Sequence, residues 1–352
     1  MIDGPAITAD WLTSALRASI PDVAVRAVEI EKIGTGQTGA NYRLHLDADA
    51  LPPTLVAKTA AGDRAARERV SQGYRSEVGF YTVLRDQVQI RTPRCWHAEI
   101  SDDNCTFVLL LDDLAPARPG VQADGCTIEQ ARDSVRNLAG LHAPLWNSPS
   151  LFEHRDFLGS MTGDRAEFLG GITQSASEVF CERYADELGD DAATLRASAA
   201  LTGRWVGVGT GVVSLLHGDY RLDNLMFPNT PDRAGDGVYA VDWQTLTVAP
   251  PGRDLGYFLA TSLLVDDRRT HQDALIDEYI EALRRLGAEI TREQCDVEVR
   301  LGLLQAPMIT MIGAAYATAE RSASADAMFL AMATRAAAAL RDLDSLALVE
   351  VS

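Results

Sequence analysis

A glycine-rich turn near the N-terminus restricts the fold of this chain more than any other feature. The β-branched run at 23–33 predicts a strand, and it leads into the sequence Gly34-Thr35-Gly36-Gln37-Thr38-Gly39. Alternating polar and apolar residues at 41–46 predict a second strand directly after the turn, and residues 54–58 predict a third. Strand, turn, strand, strand is an antiparallel meander, whereas a dinucleotide-binding unit needs its glycines to open a helix.

The glycines themselves favour a phosphate-binding role for this turn. Glycine lets backbone N–H groups approach a phosphate closely, so we expect Gly34, Thr35 and Gly36 to cover the phosphates of a bound nucleotide. A plain turn and a dinucleotide site are the alternatives that the pattern leaves open.

The remaining periodicity predicts an α+β fold of two lobes. Residues 1–111 are predicted to form a small antiparallel, β-rich nucleotide-binding lobe. Residues 112–352 are predicted to form a larger, mainly helical lobe with the catalytic loop and substrate pocket. In the first lobe a helix is expected at 63–86 and two strands at 94–100 and 106–111. In the second, helical periodicity marks the segments 255–264, 270–286, 291–320 and 325–347.

Composition excludes several classes of protein. The chain has 352 residues, and its formal charge of -18 argues against non-specific nucleic-acid binding, which needs basic groups to neutralise phosphates. The apolar stretch at 303–319 contains Gln305 and Pro307 and is predicted to be a buried helix, so no membrane association is expected. The N-terminus carries no secretory pattern, and five widely spaced cysteines indicate free thiols in a reducing cytoplasm. We expect a monomer or homodimer.

A lysine and a glutamate form the first candidate charge pair. Lys58 ends an apolar strand, from which it could act as a point charge on the phosphates of a nucleotide; a solvated lysine at a strand end is the alternative. Glu77 lies 19 residues further on, in the predicted helix, where its carboxylate could hold the ammonium group. Glu68 and Asp86 compete with Glu77 for this role.

Three polar residues that follow predicted strands form the strongest candidate site. Asp219 lies in the loop His217-Gly218-Asp219 and could orient a substrate hydroxyl by accepting its hydrogen bond. Asn224 and Asp242 supply oxygen atoms suited to Mg²⁺, which binds few protein groups and keeps water and phosphate oxygens.

Residues next to this candidate site are expected to have other roles. His217 is expected to support the loop and not to act as the general base. Arg221 and Asp223 either face substrate or phosphate or pair with each other. The dipeptide Arg253-Asp254 is expected to brace the catalytic loop through backbone hydrogen bonds.

These motifs resemble the aminoglycoside phosphotransferase and choline-kinase-like superfamily, nearest to its ecdysteroid-kinase-like (CHK) bacterial phosphotransferases. The resemblance lies in three motifs of the second half of the chain, namely His217-Gly218-Asp219 with Asn224, Val241-Asp242-Trp243-Gln244 and Gly252-Arg253-Asp254-Leu255. Leu110-Leu111-Asp112-Asp113-Leu114 is similar to the superfamily's linker between lobes.

The resemblance implies a bilobal protein-kinase-like fold, with ATP as donor and Mg²⁺ as cofactor. It makes Asp219 the catalytic aspartate, Asn224 and Asp242 the metal ligands, and Lys58 the triphosphate lysine with Glu77 as its partner. It also implies that backbone groups of Leu111, Asp112 and Asp113 hold the adenine.

The sequence therefore predicts a kinase that phosphorylates a hydroxyl of a small molecule. Asp254 comes only 12 positions after Asp242, which leaves little room for a protein-kinase activation segment and argues against protein substrates. A catalytically silent nucleotide-binding scaffold or sensor is the alternative from another class. A nicotinamide-dependent oxidoreductase, which rests on the glycine pattern alone, is the third.

Overall fold

The computed structural model describes residues 6–34, 39–160, 164–229, 237–316 and 322–351. The chain folds into two compact units, and each unit is made of several segments of the sequence. The first contains residues 1–86, 92–116 and 241–245, and the second contains residues 87–91, 117–240 and 246–352.

The first unit is built on one antiparallel sheet of five strands. The strands are β1 (Val25–Ile33), β2 (Gly39–Ala48), β3 (Thr54–Ala60), β4 (Cys95–Ile100) and β5 (Phe107–Asp112), in the order β1-β2-β3-β5-β4. Ile33 of β1 pairs with Asn41 of β2, so a strand follows the glycine turn as predicted. The antiparallel pairing excludes the strand–helix–strand unit of a dinucleotide site.

Two helices accompany this sheet. Helix α1 (Ala9–Leu16) buries Leu12 and Leu16 in a core cluster shared with residues of β2, β3 and β5. Helix α2 (Arg64–Gly79) begins at Asp63, whose carboxylate accepts the Ala66 N–H, and it continues into a π-helical turn at Phe80–Leu84. Helix α2 carries Glu77 on its buried face.

The second unit is mainly helical. Its helices are α3 (Ile128–His142), α4 (Asp164–Arg183), α5 (Ala185–Leu188), α6 (Asp191–Val206), α7 (Gly252–Ser262), α8 (Val265–Arg285), α9 (Arg292–Gly302), α10 (Gln305–Tyr316), α11 (Ala323–Asp342) and α12 (Ser345–Val351). Its short strands are β6 (Arg118–Pro119), β7 (Gly159–Ser160), β8 (Ser214–Leu216), β9 (Leu225–Phe227), β10 (Tyr239–Ala240) and β11 (Thr247–Ala249). They form two three-stranded sheets, in the orders β10-β9-β6 and β7-β11-β8.

The helical periodicity predicted at 291–320 is confirmed, and it corresponds to two helices in the structure. Helix α9 ends at Gly302 and α10 begins at Gln305. Pro307 lacks a backbone N–H, so it fits the first turn of a new helix but interrupts a continuous one. The stretch Arg292–Tyr316 is long and apolar enough to span a membrane, yet 72% of its most apolar window is buried inside the protein, as in a core helix. All five cysteines are free.

Helix α7 lies in the interior of the second unit, since all eleven of its residues are buried. Glycines allow its close contact with α9: a methyl group on Gly302 would lie 1.8 Å from the Gly252 carbonyl oxygen, and one on Gly256 would lie 2.7 Å from the Gly302 carbonyl carbon. No side chain fits between two backbones at these distances, so the glycines determine where α7 lies.

We predict that Gly302→Ala destabilises the protein by about 3 kcal/mol, because the added methyl group forces the backbones of α7 and α9 apart. Gly171→Ala is the matched control: Gly171 lies inside α4 with nothing within 4 Å of the added carbon, and alanine there should stabilise the helix by up to about 1 kcal/mol. Urea unfolding followed by circular dichroism measures both variants. Equal stability of the two would contradict the packing argument.

Candidate active site

Lys58 and Glu77 form a buried ion pair in the first unit. Lys58 lies on β3, where its backbone is paired with Asn41 of β2 and Leu109 of β5. Its Nζ donates to the Glu77 carboxylate at 2.7 Å, and the two side chains are 10% and 1% exposed. The competing candidates lie elsewhere, because Glu68 pairs with Arg64 on an exposed part of α2 and Asp86 is exposed.

Asp242 joins this pair from a distant part of the chain. Its Oδ1 accepts from the Lys58 Nζ at 3.1 Å, although the two residues are 184 positions apart. Asp242 has a φ of +69°, a left-handed conformation that aspartate tolerates better than most residues. The structure therefore brings together three of the charged residues that the sequence singled out, namely Lys58, Glu77 and Asp242.

The two carboxylates keep Lys58 charged. Burial acts to lower the pKa of Lys58, but the negative charges of Asp242 and Glu77 outweigh it, and the pKa lies above its ordinary value. Lys58 is therefore a fixed cation at neutral pH, as a phosphate-binding group requires.

Trp243 and Gln244 anchor the segment that carries Asp242. The Trp243 ring stacks on Phe80 with their centroids 3.7 Å apart, and its backbone N–H lies 3.4 Å from Glu77 Oε1. Gln244 Nε2 donates to Glu77 Oε2 at 3.1 Å. Glu77 therefore binds the lysine, as the sequence predicted, and also holds the chain around Asp242, which the sequence did not indicate.

The glycine turn is described only at its two ends. Gly34 has a φ of +68°, which favours glycine, while Thr35 and Gly36 lie outside the described residues. At the far end, a methyl group on Gly39 would lie 3.3 Å from Lys58 Cε, so this glycine leaves room for the lysine side chain.

The residues expected to hold adenine lie at the end of β5. Leu111 pairs with both neighbouring strands, and the Asp112 N–H donates to the Arg94 carbonyl at 2.9 Å. Burial acts to raise the pKa of Asp113, but its hydrogen bond from Arg43 Nε at 2.6 Å prevails and the pKa is lowered. These contacts fix the strand end, and the adenine-binding role of this segment stays a prediction.

Asp254 holds the loop that carries Asp219, which the sequence predicts to be the catalytic loop. The loop follows β8, and the backbone N–H groups of His217 and Gly218 donate to the Asp254 carboxylate at 2.7 and 2.9 Å. Asp254 therefore braces the loop in the way expected for the dipeptide Arg253-Asp254. The expectation for Arg253 is wrong: its guanidinium donates to the Val206 carbonyl at 3.0 Å and lies over the Trp205 ring.

Three donors converge on the Asp219 carboxylate. The Tyr257 hydroxyl donates to Oδ1 at 2.7 Å, Asn224 Nδ2 donates to Oδ2 at 2.9 Å, and Arg221 Nε lies 3.2 Å away. Asn224 Nδ2 also donates to the Asp219 carbonyl at 2.9 Å, so these bonds leave the Asn224 oxygen for another partner. The second unit thus brings Asp219 and Asn224 together.

The remaining loop residues support this arrangement. Arg221 forms ion pairs with both Asp219 and Asp223, so the pairing alternative for these residues is the one that the structure contains. His217 is fully buried, and its Nδ1 accepts the Asp219 N–H at 3.3 Å, which is a supporting contact.

The sequence reasoning missed three residues that contact the loop. Tyr257 is one of them, and its signal was its position three residues after Asp254 on the same helix. Gln305 donates to the Gly218 carbonyl at 2.9 Å. Gln122 accepts the Leu222 N–H at 2.9 Å and donates to the Thr261 carbonyl at 2.8 Å; neither glutamine had a signal in the sequence.

The chain is similar to a known protein family and to several solved structures. Residues 40–291 match the ecdysteroid kinase-like family. Among solved structures, the chain is similar to a GDP complex of aminoglycoside 2'-phosphotransferase-IIIa, at 12% identity and a TM-score of 0.54, with 94% of this chain and 98% of the other covered. A choline kinase from Cryptosporidium parvum gives 11% identity and a TM-score of 0.53, with 91% and 92% covered.

These structural similarities establish the fold. A GDP and kanamycin complex of another phosphotransferase gives 13% identity and a TM-score of 0.51, with 86% of this chain and 91% of the other covered. These similarities confirm the predicted α+β fold of the aminoglycoside phosphotransferase and choline kinase type. The family match over residues 40–291 confirms the resemblance to the superfamily that the sequence motifs indicated. No curated protein sequence matched the chain.

We predict that Glu77→Gln lowers the free energy of unfolding by about 3 kcal/mol, because it removes the more deeply buried of the two charges that compensate the Lys58 ammonium group. Glu68→Gln is the matched control on the same helix, and loss of its exposed pair with Arg64 should cost less than about 1 kcal/mol. Urea unfolding at pH 7 gives both values. Similar losses in the two variants would show that burial does not distinguish these pairs.

Proposed function

The chain belongs to the ecdysteroid kinase-like family, and from that membership we propose that it transfers the γ-phosphoryl group of ATP to a hydroxyl of a small molecule. The observation that carries the proposal is the Asp219 carboxylate, which three donors hold in a loop that is itself fixed by Asp254. A carboxylate held in one orientation can direct an acceptor hydroxyl.

The proposed reaction is a direct in-line transfer. The acceptor oxygen forms a bond to the γ-phosphorus while the bond from that phosphorus to the β–γ bridging oxygen breaks, and ADP leaves with the electron pair. The hydroxyl proton passes to Asp219. Because little covalent chemistry is required, orientation and charge neutralisation are what the protein supplies.

A nucleotide is the expected donor because two of the similar structures are GDP complexes. In this chain we assign the phosphate contact to Lys58, whose charge is maintained by Glu77 and Asp242. We propose ATP as the donor, together with phosphate contacts from Gly34, Thr35 and Gly36 and adenine contacts from the backbone at Leu111–Asp113. Parallel assays with ATP and GTP test the choice of base.

Magnesium fits the oxygen donors that this chain offers. The amide nitrogen of Asn224 donates to Asp219, so its amide oxygen can serve as a metal ligand. Asp242 is 41% exposed and has a left-handed backbone conformation. Among the described residues no cluster of three or more His, Cys, Asp or Glu could hold a metal, and Mg²⁺ needs only one or two protein ligands. When bound with the nucleotide, the ion neutralises phosphate charge.

The acceptor is proposed to be a small alcohol. The names of the family and of the similar proteins point to ecdysteroids, choline and aminoglycosides, which share hydroxyl groups and little else. A panel containing an ecdysteroid, choline and kanamycin, assayed for ADP release with ATP and Mg²⁺, is the direct test. Binding of Mg-ATP without turnover of any alcohol would favour the catalytically silent scaffold. A melting temperature of the protein raised by NAD and not by Mg-ATP would favour the oxidoreductase.

We predict that Asp219→Ala lowers kcat by about 10²- to 10⁴-fold, because the acceptor hydroxyl loses the group that orients it and takes its proton. Binding of Mg-ATP should persist, since Asp219 is assigned to the acceptor. The control is Asp266→Ala, which removes a 95% exposed carboxylate from the first turn of α8 and should leave kcat unchanged. Undiminished turnover in Asp219→Ala would remove the basis of the proposed function.

We predict that Asn224→Ala and Asp242→Ala each raise the Mg²⁺ concentration needed for half-maximal rate by at least about 10-fold, because each removes an oxygen ligand. The measurement is a Mg²⁺ titration of the rate at a fixed ATP concentration. A fall in the maximal rate with an unchanged Mg²⁺ midpoint would assign these residues to loop structure and not to the metal.

A further inference from the structure

One face of α7 contacts both the backbone and the side chain of the catalytic loop. Asp254 and Tyr257 are three residues apart on this helix and therefore point in the same direction. Asp254 accepts the backbone N–H groups of His217 and Gly218, and the Tyr257 hydroxyl donates to Asp219 Oδ1 at 2.7 Å. The contact of Asp254 holds the loop, whereas that of Tyr257 reaches the carboxylate itself.

We propose that Tyr257 is a positioning residue for phosphoryl transfer, whose hydroxyl holds the Asp219 carboxylate in the orientation that receives the acceptor hydroxyl. The inference rests on the proposed function and adds to it a residue that acts through Asp219.

The hydrogen bonds of the carboxylate show why its orientation matters. An ionised carboxylate has about four lone-pair positions, and Tyr257, Asn224 and Arg221 supply three donors. About one position is left for the acceptor hydroxyl, whose proton moves there as the bond from oxygen to the γ-phosphorus forms and ADP leaves. Rotation of the carboxylate would present a different lone pair, so its direction determines whether the acceptor is correctly placed.

Tyr257 is the donor best suited to fix this direction. Its ring is fully buried in a core cluster with Trp205, Ala260 and Leu303, so packing determines where the hydroxyl lies. Arg221, in contrast, is shared between Asp219 and Asp223.

The hydroxyl of Tyr257 also remains protonated. Burial, supported by the negative charge of Asp219, raises the pKa of Tyr257 well above its ordinary value. Tyr257 therefore donates a hydrogen bond without adding a charge, and it leaves the carboxylate able to accept the proton of the hydroxyl.

The test compares two variants that each remove one buried phenol oxygen from a contact with a carboxylate. Tyr257→Phe removes the donor to Asp219. The control, Tyr184→Phe, removes the hydroxyl that donates to Asp326 Oδ1 at 2.5 Å, a carboxylate that is not part of the loop. Steady-state rates are measured with Mg-ATP and the alcohol of highest turnover in the panel, or as Mg-ATP hydrolysis if no alcohol reacts. Mg-ATP affinity is measured by calorimetry.

We expect Tyr257→Phe to lower kcat by about 10- to 100-fold, the effect of one hydrogen bond to a charged group, with unchanged KM and Kd for Mg-ATP. Tyr184→Phe should retain the wild-type kcat. In the Asp219→Ala background, Tyr257→Phe should lower kcat no further, because its effect passes through that carboxylate. Tyr257→Leu removes the same hydroxyl with a different core shape, and its kcat should fall in the same way.

Wild-type kcat in Tyr257→Phe, together with a large loss in Asp219→Ala, would overturn the role of Tyr257 and leave the proposed function intact. An additive loss in the double variant would also overturn it, because Tyr257 would then act independently of Asp219. Full activity in Asp219→Ala, in contrast, is a failure of the proposed function. If Tyr257→Phe does not fold, a wild-type kcat in Tyr257→Leu would overturn the role in the same way.

Discussion

The position of the loop that carries Asp219 depends on the hydrogen bonds that two of its backbone N–H groups donate to the buried carboxylate of Asp254. A fully buried carboxylate is tolerated only when its oxygens are satisfied, and the N–H groups of His217 and Gly218 satisfy them, with His142 Nε2 at 3.3 Å. Movement of the loop would leave this acceptor unpaired at a large energetic cost. The loop is therefore as rigid as the helix that holds it, and α7 is in turn placed by its glycine contact with α9.

The first unit stabilises its buried charge by a different means. Lys58 is compensated by the two carboxylates of Glu77 and Asp242, so that the group contains one cation and two anions. A bound polyphosphate would bring further negative charge, which Lys58 and a divalent ion can offset. Glu77 anchors these charged residues, because its carboxylate also accepts hydrogen bonds from Trp243 and Gln244.

Periodicity and strand-end chemistry predicted the local elements well. The strands around the glycine turn, the helix that carries Glu77 and the loop after β8 all lie near their predicted positions, because each depends on neighbours within a few residues. The periodicity at 291–320 correctly predicted helical structure but did not locate the break between α9 and α10, where Pro307 fits the first turn of the second helix. Arg253 was misplaced because cation–π packing on Trp205 leaves no sequence pattern.

The sequence by itself determined the order of elements, the superfamily and the identity of the charged residues, since these depend on local patterns and motif spacing. Only the tertiary structure decided which groups meet. The contact of Lys58 with Asp242 spans 184 residues, and that of Tyr257 with Asp219 spans 38. Such contacts form when separate elements pack together, so no local sequence pattern encodes them. From the sequence, a tyrosine in an apolar helix is expected to be a core residue, and only the structure shows that its hydroxyl donates to a carboxylate.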